Sequence, residues 1–216
     1  YVPTDGLVGW WPFEGSFSNE FLGTDPLSVS EVVFSQDRFG VGRSAFFNDA
    51  GFIEWGDMPS PEEFTITAWV RPSSGALTSY GNVYSDYVCP AAIGCGGGGI
   101  ALLHSPSILY SHTSSDGACN TEHQLEENDW QFLAMSRNAE GRVQIYLNLV
   151  MVRDCQNTTV PHQHSESAYF GRAAQSNNEH WFGEIDDFGF WSRALNEVEL
   201  EHLFNASAPT LGCTDM

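Results

Sequence analysis

Phe64-Thr65-Ile66-Thr67-Ala68-Trp69-Val70-Arg71 is the stretch of sequence that decides the fold. The apolar residues at positions 64, 66, 68 and 70 share one face, and this period of two is typical of a half-buried β-strand. Similar short runs, separated by Gly, Pro, Asn, Asp and Ser, recur along the chain. They span residues 7–13, 44–48, 52–55, 100–104, 108–112, 130–137, 142–147, 168–172 and 181–191. Many short strands with turns between them predict an all-β, two-sheet antiparallel jelly-roll sandwich.

One short C-terminal helix is predicted after the last strand. Asn196 can cap it, and Glu199 completes a capping box. Apolar anchors follow at Leu195, Val198, Leu200, Leu203 and Phe204. We expect a surface helix that packs on the edge of the sandwich, with a docking role as the alternative.

The charge of the chain excludes one class of partner. Among 216 residues, 28 are Asp or Glu and 8 are basic, which gives a formal net charge of -20. This charge repels phosphate backbones, so nucleic acid is excluded as a partner. No run approaches the roughly 18 apolar residues of a membrane span, so no membrane insertion is expected. The acidic excess is either a solubility device or a supply of carboxylates for calcium.

Cysteines stand at positions 89, 95, 119, 155 and 213. None forms a CxxC pair, which argues against a structural zinc site. The spacing favours Cys89–Cys95 and Cys119–Cys155 disulfides, although four cysteines allow three connectivities. Disulfides predict an oxidising, extracellular or cell-surface location. Cys213 has no partner and lies in residues 206–216, which read as a linker after a domain spanning residues 1–205.

Residues 73–128 break the regular alternation, and irregular segments on a β-scaffold are where binding residues are usually found. Tyr80, Tyr84 and Tyr87 are expected to face solvent and to form a sugar-stacking patch with Asp86. His104 and His112 are further candidate ligand-binding residues of this stretch. The tryptophans divide into two predicted groups: Trp69 and Trp130 in the core, and Trp55 and Trp181 freer to face solvent.

Three segments resemble bacterial laminin-G-like (LamG) jelly rolls of the concanavalin A-like type. They are Gly6-Leu7-Val8-Gly9-Trp10-Trp11-Pro12-Phe13-Glu14-Gly15, residues 64–72, and Gly183-Glu184-Ile185-Asp186-Asp187-Phe188 with the helix that follows Trp191-Ser192-Arg193-Ala194-Leu195. The resemblance implies a two-sheet sandwich, extracellular placement, and a role in adhesion or in glycan or protein recognition. The tail Leu211-Gly212-Cys213-Thr214-Asp215 resembles the start of short Cys-containing repeats in large type IX-secreted surface proteins, where a truncated repeat would leave Cys213 without its partner.

The segment from Glu184 to Phe188 can be compared with a known catalytic motif. Jelly-roll β-glucanases carry Glu-x-Asp-x-Glu on one strand, and alternation would point all three acids to the same face. Glu184 and Asp186 match the first two positions, but Phe188 takes the third, so the acid/base carboxylate is missing. We therefore expect no enzymatic activity. A zinc site at His162, His164 and His180 is a less favoured alternative.

Calcium is the cofactor that the resemblance implies. Related sandwiches hold a structural calcium with an aspartate of the closing strand, which Asp186 matches, and with an acidic residue near the first strand, for which Glu14 is the candidate. Because calcium takes six to eight oxygen ligands, two carboxylates with carbonyls and waters suffice. Further candidate ligands are Asp187, Asn48, Asp49 and Asp37. The alternative is that the two aspartates pair with Arg193 or Arg172.

These observations predict an extracellular carbohydrate-binding or adhesion module of a larger cell-surface protein, stabilised by calcium and not catalytic. Its partner would be a glycan or a cell-surface protein. A structural spacer or protein-interaction domain is the alternative, and a β-glucanase-type glycoside hydrolase is the least favoured one.

Overall fold

The computed structural model describes residues 1–87, 100–104, 108–112, 119–156, 164–174 and 178–206. Its thirteen strands are β1 (Leu7–Trp11), β2 (Ser28–Gln36), β3 (Arg43–Trp55), β4 (Phe64–Pro72), β5 (Gly81–Tyr87), β6 (Ile100–His104), β7 (Ile108–His112), β8 (Cys119–Asn120), β9 (Gln131–Arg137), β10 (Arg142–Leu147), β11 (Val150–Gln156), β12 (His164–Phe170) and β13 (Gly183–Trp191). The helix α1 spans Glu197–Phe204, and one 3₁₀ turn spans Ala76–Thr78. All strand pairs of the sheet are antiparallel, and the predicted all-β jelly-roll fold is confirmed.

The strands form one curled sheet with the order β11-β10-β9-β4-β13-β3-β12-β5-β6-β7-β8, while β1 pairs with β13 and β2 with β3. Its two halves contribute to the same core. Ile66 and Val70 of β4 come from one half, whereas Ile53 of β3 and Phe170 of β12 come from the other, and all four are fully or almost fully buried. The strands β3 and β13 join the halves through the pairing of Gly183–Ile185 with residues 45–47.

The strand β4 is buried on both faces, so the prediction that it is half-buried is wrong. Its apolar face lies in the main core, while Trp69 on the other face packs in a second cluster with Phe132, Leu200 and Leu203. The cluster forms because α1 covers this outer face of the sheet and does not lie at the sandwich edge as expected. The capping box of Asn196 and Glu199 is present as predicted.

The last strand, β13, contains a bulge that reverses the facing of its side chains. Asp186 pairs with Trp69, but Gly189 pairs with Thr67, so β13 has one extra residue there. Asp187 takes a φ of 44° at this point. Ile185 on one side of the bulge and Phe188 on the other therefore both enter the core. The regular alternation of the glucanase motif is therefore interrupted in β13 between Asp186 and Phe188.

Four strands were not predicted: β2, β5, β8 and β11. In β2 the register shifts between Ser30 and Val32, and Glu31 has a φ of 51°, so the alternation is interrupted. In β5 all residues except Tyr87 are buried, although the segment is rich in Gly, Asn and Ser. The predicted strands 44–48 and 52–55 are parts of the single strand β3.

The predicted disulfide between Cys119 and Cys155 is present, with its two Cα atoms 6.4 Å apart. It connects β8 to β11 and closes a loop with a sequence separation of 36, which in the loop-entropy picture stabilises the fold by about 4 kcal/mol. Cys89, Cys95 and Cys213 lie outside the described residues, as do His162 and the linker from residue 207. Among the described residues, no helix is long and apolar enough to cross a membrane.

Candidate functional site

A buried arginine lies between the two aspartates of the β13 bulge. The Nη1 atom of Arg38 is 3.0 Å from Asp186 Oδ2 and 2.8 Å from Asp187 Oδ2, and the Arg38 side chain is only 7% exposed. Its guanidinium also lies 4.8 Å from the ring centre of Trp69 and 4.3 Å from that of Phe39. Burial, the Asp187 charge and Asp37 raise the pKa of Asp186 to about 8, against the opposing effects of Arg38 and a backbone N–H.

Two more carboxylates, those of Glu14 and Asp37, lie close to this arginine. A Cβ placed on Gly42 would be 2.4 Å from Glu14 Oε1 and 2.6 Å from Asp37 Oδ2, so both side chains converge on this glycine. Asp37 Oδ1 accepts hydrogen bonds from the backbone of Phe39 and Val41, while Oδ2 has no partner among the described residues. Burial raises the pKa of Glu14, and the charge of Asp37 adds to this effect, while a backbone N–H opposes it.

We call Glu14, Asp37, Arg38, Asp186 and Asp187 the arginine–carboxylate cluster. It places four carboxylates around one guanidinium. Across the described ranges, no three side chains of His, Cys, Asp or Glu form a group that could hold a metal ion. The cluster brings together four of the predicted calcium ligands, Glu14, Asp37, Asp186 and Asp187, and Arg38 pairs with the last two.

The prediction that Asp186 and Asp187 pair with Arg193 or Arg172 is wrong. Arg193 pairs with Glu199 at 2.6 Å and with Asp5 at 3.1 Å. The guanidinium of Arg172 lies 3.9 Å from the ring centre of Tyr169 and 4.5 Å from that of Phe52. Arg38 is the partner instead, and its separation of 148 residues from Asp186 explains why no local pattern pointed to it.

Glu184, the first residue of the glucanase-like segment, is held by an arginine as well. Arg71 donates to both of its carboxylate oxygens, at 3.1 and 2.5 Å, and Ser35 donates at 3.4 Å. Phe188 lies fully buried in the core. Glu184 and Asp186 are thus each bound to a guanidinium, and the third position of the motif is on the opposite side of the sheet.

The predicted tyrosine patch is not a single exposed surface. Tyr84 is 1% exposed and donates to Asp86 Oδ2 at 3.4 Å, and Asp86 is fully buried. Burial raises the pKa of Tyr84 well above its usual value, with the Asp86 charge adding to the effect. Tyr87 is half-buried, and burial also raises its pKa. Only Tyr80 of the set is clearly exposed, at 48%.

The expectation that Trp55 and Trp181 face solvent is also wrong, since both are buried in the core. Trp55 is the last residue of β3 and contacts the Trp11 ring edge-on. Trp181 contacts the ring of His104.

Tyr80 borders a cleft of about 390 Å³ that we call the end cleft, lined by Asp49, Ser79, Tyr80, Asn178, Glu179 and His180. Three parts of the chain form it. They are a bulge within β3 that contains Asp49, the turn before β5 and the turn before β13. Asn82 fixes the last of these, because its Nδ2 donates to the backbone oxygen and to Oε2 of Glu179, both at 3.2 Å. Glu179 has a φ of 55°, a backbone conformation that is uncommon outside glycine and is concentrated at functional sites.

The sequence predicted three residues of this cleft, Tyr80 as a sugar-binding residue, Asp49 as a calcium ligand and His180 as a possible zinc ligand. Asp49 and its neighbour Asn48 are exposed residues of the β3 bulge. The polar triplet Asn178-Glu179-His180, directly before the predicted strand of residues 181–191, is the sequence signal for the rest of the cleft.

His104 lies beneath the end cleft. It is 3% exposed, its ring meets that of Trp181 at 5.2 Å, and a Cβ on Gly81 would come within 2.5 Å of its Nε2 and 3.0 Å of the His180 carbonyl oxygen. Neither ring nitrogen has a hydrogen-bond partner in the part of the chain that the structure describes. Burial lowers the pKa of His104 to about 4. It is therefore a neutral core residue at pH 7, and the side chain of His112 lies outside the described part.

A second cavity of about 630 Å³, the α1 groove, lies between the helix and the β10–β11 hairpin. It is lined by Arg142, Gln144, Tyr146, Leu149, Met151, Glu197, Leu200 and Glu201. Met151 is 47% exposed, so the groove has an accessible apolar wall beside the helix carboxylates.

Replacing Arg38 by Met tests the arginine–carboxylate cluster. We expect Arg38→Met to lower the free energy of unfolding by about 3 kcal/mol, because it leaves two buried carboxylates without their cation. Arg142→Met is the matched control, since Arg142 pairs with Asp154 at the surface and its loss should change little. Urea unfolding of both variants measures this, and an equal effect of the two substitutions would contradict the structural role of Arg38.

His104 predicts a specific pH dependence. Its folded-state pKa of about 4 lies below the ordinary value of 6.5, so its contribution to stability is present above pH 6.5 and is lost as the pH falls towards 4. Wild type should therefore lose about 3 kcal/mol more than His104→Gln between pH 7 and pH 4. The control is His123→Gln at an exposed position, which should keep the wild-type pH profile. Parallel profiles for His104→Gln and wild type would show that His104 does not titrate in this way.

Comparison with solved structures places the fold. Domain 4 of AbnA, an extracellular GH43 arabinanase from Geobacillus stearothermophilus solved with arabinotriose, superposes with a TM-score of 0.72 at 17% identity, covering 91% of this chain and 97% of that one. The binding domain of botulinum neurotoxin serotype G gives 0.69 at 15% identity over 92% of this chain and 50% of the toxin domain. Trypanosoma rangeli sialidase, solved with an inhibitor, gives 0.67 at 17% identity over 94% of this chain and 33% of the enzyme.

At these identities the superpositions establish the fold alone. No curated protein sequence matches the chain. A laminin-G-type family profile, described as the concanavalin A-like lectin/glucanases superfamily, matches residues 48–201. This match covers more than half of the chain, from the middle of β3 to within α1. The chain therefore belongs to the concanavalin A-like lectin/glucanase superfamily, as a LamG-like jelly-roll domain.

Proposed function

We propose that this domain is a non-catalytic carbohydrate-binding or adhesion module of a larger extracellular surface protein, and that the end cleft is its glycan site. The observation that carries the proposal is the half-exposed ring of Tyr80 beside the polar side chains of Asp49, Asn178 and Glu179. Sugars are bound by stacking of their apolar faces on aromatic rings together with hydrogen bonds to their hydroxyl groups.

The shape and placement of the end cleft support this role. Its volume of about 390 Å³ is within the range of roughly 300–1,000 Å³ typical of small-ligand sites. It is formed by loops on a rigid β-scaffold, where recognition residues are commonly found. The arabinanase domain with the same fold was solved with a bound oligosaccharide, which gives a precedent for this scaffold.

A lack of glycosidase activity is part of the proposal. Retaining hydrolysis needs two carboxyl groups about 5 Å apart that face the sugar, one of them able to exchange a proton. In this chain Glu184 is bound to Arg71, Asp186 to Arg38, and Phe188 is in the core. These contacts support the proposal, because each carboxylate of the glucanase-like segment is paired with an arginine and the third position has no carboxylate.

We also propose that calcium stabilises the domain at Glu14 and Asp37 of the arginine–carboxylate cluster, where backbone carbonyls and waters would have to complete the coordination, because no three His, Cys, Asp or Glu side chains of the described residues form a metal-binding group. Glu14 and Asp37 would supply the first carboxylate ligands, because their oxygens converge on Gly42 and Asp37 Oδ2 has no partner among the described residues. Calcium accepts such oxygens together with carbonyls and waters. Asp187 and Asp186 remain further candidates at the other side of Arg38.

A protein-interaction role is the second candidate, and the α1 groove favours it. The apolar side chains of Leu149 and Met151 lie there beside Glu197 and Glu201. Charge complementarity would select a basic segment with apolar residues. The glycan-binding role needs the end cleft, whereas the protein-interaction role needs the α1 groove. Substitution of Tyr80 separates the two roles, because it changes the end cleft and leaves the α1 groove unchanged.

Tyr80→Ala tests the glycan site. We expect binding to the best ligand of a broad glycan array, measured by calorimetry in calcium, to weaken about tenfold or more, while Tyr80→Phe retains it. Tyr1→Ala removes an exposed tyrosine elsewhere and should have no effect. Absence of binding to every glycan, or equal binding by Tyr80→Ala and wild type, would reject the proposal.

Calcium is tested through thermal stability. The melting temperature of the purified protein should rise by several degrees when calcium is added after EDTA treatment, because an ion that binds only the folded state stabilises it. Asp37→Asn should remove most of this rise, whereas Asp129→Asn, at an exposed position, should keep it. A melting temperature that EDTA and calcium leave unchanged would rule out a structural calcium ion.

A further inference from the structure

We infer that the end cleft selects glycans without acidic groups, and that it binds a free amino sugar more tightly than the N-acetylated form of the same sugar. This inference rests on the proposed function and specifies its ligand class. It starts from the charges of the lining residues.

Two carboxylates, those of Asp49 and Glu179, line the end cleft, and no arginine is among its described lining residues. A sialic acid, a uronic acid or a sulfated sugar would have to bring its own negative charge beside them. Like charges brought side by side repel each other, and the net charge of -20 adds repulsion during the approach.

Three arginines of the fold already form ion pairs with acidic side chains. Arg71 binds Glu184, Arg38 binds the aspartates of the β13 bulge, and Arg193 binds Glu199. An anionic sugar therefore could not recruit these cations without breaking an existing ion pair.

The Glu179 carboxylate is fixed in position before a ligand arrives. Asn82 holds both the backbone oxygen and Oε2 of Glu179, and the side chain of Asn82 is itself 1% exposed. A pre-positioned carboxylate binds with a smaller loss of conformational entropy. An ammonium group makes a charge-assisted hydrogen bond to such an oxygen, which is about twice as strong as one between neutral groups.

The neutral groups of the end cleft suit the rest of a sugar. The Tyr80 ring offers a stacking surface, Ser79 offers a hydroxyl, and Asn178 offers an amide. Hydroxyl groups of an uncharged ring can donate to and accept from this set. The two carboxylates of the end cleft thus disfavour acidic sugars, and a free amino group on a sugar increases its affinity.

The test uses an array of neutral, N-acetylated, de-N-acetylated, sialylated, sulfated and uronic acid-containing oligosaccharides. We expect binding to neutral and amino sugars only, with the de-N-acetylated form of a bound sugar favoured about five- to tenfold over its N-acetylated form. Asp49→Asn combined with Glu179→Gln should remove this preference. Glu140→Gln combined with Glu20→Gln removes the same number of charges at exposed positions elsewhere and should preserve it.

Three results have distinct meanings. If no oligosaccharide binds, the proposed glycan function itself fails. If sialylated, sulfated or uronic acid-containing glycans bind more tightly than neutral ones, the glycan function stands and the charge inference is overturned. If both double variants weaken the amino-sugar preference equally, the effect comes from overall charge and not from the end cleft, which also overturns the inference.

Discussion

The single extra residue in β13 is the constraint on which much of the structure depends. With Asp187 at a positive φ, the strand places both Ile185 and Phe188 in the same core. In a regular strand these two side chains would point to opposite faces of the sheet. The bulge also leaves two adjacent carboxylates at one point of the sheet. Those carboxylates then need a cation, and Arg38 provides it.

Arg38 is held by contacts that require the whole fold. Its guanidinium contacts Trp69 on β4, which in turn stacks on Phe204 of α1 at a ring-centre distance of 5.2 Å. The bulge, the central strand and the helix are thus coupled through one buried charge. A buried ion pair adds little net stability compared with an apolar replacement, but losing one partner is costly. We conclude that the cluster fixes the arrangement of these elements more than it adds to their stability.

The features that the sequence predicted are those governed by local patterns. The strand β4 was identified by its alternation, and α1 by the capping box of Asn196 and Glu199. Errors arose where the tertiary environment overrides the pattern. The strand β5 contains Gly81 and Asn82 and was read as a loop, so Tyr84 was expected at the surface when it is in the core.

The candidate sites were predicted less completely because they combine distant parts of the chain. Arg38 is 148 residues from Asp186, and no periodicity within either segment indicates the other. The end cleft joins the β3 bulge, the turn at Tyr80 and the turn at Glu179. Only the tertiary fold brings these three loops to one end of the sandwich.

The segments that reveal the family and the residues that would recognise a ligand are different sets. Residues 6–15, 64–72 and 183–191 carry the resemblance. The last two segments mostly fill the core, and Glu184 and Asp186 pair with arginines. Tyr80, Asn178 and Glu179 lie outside all three segments, in turns at one end of the sandwich. Because the same scaffold can present many different loops, family membership determines where a binding site can form but not what it binds. The ligand must therefore be deduced from the charge and shape of the end cleft itself.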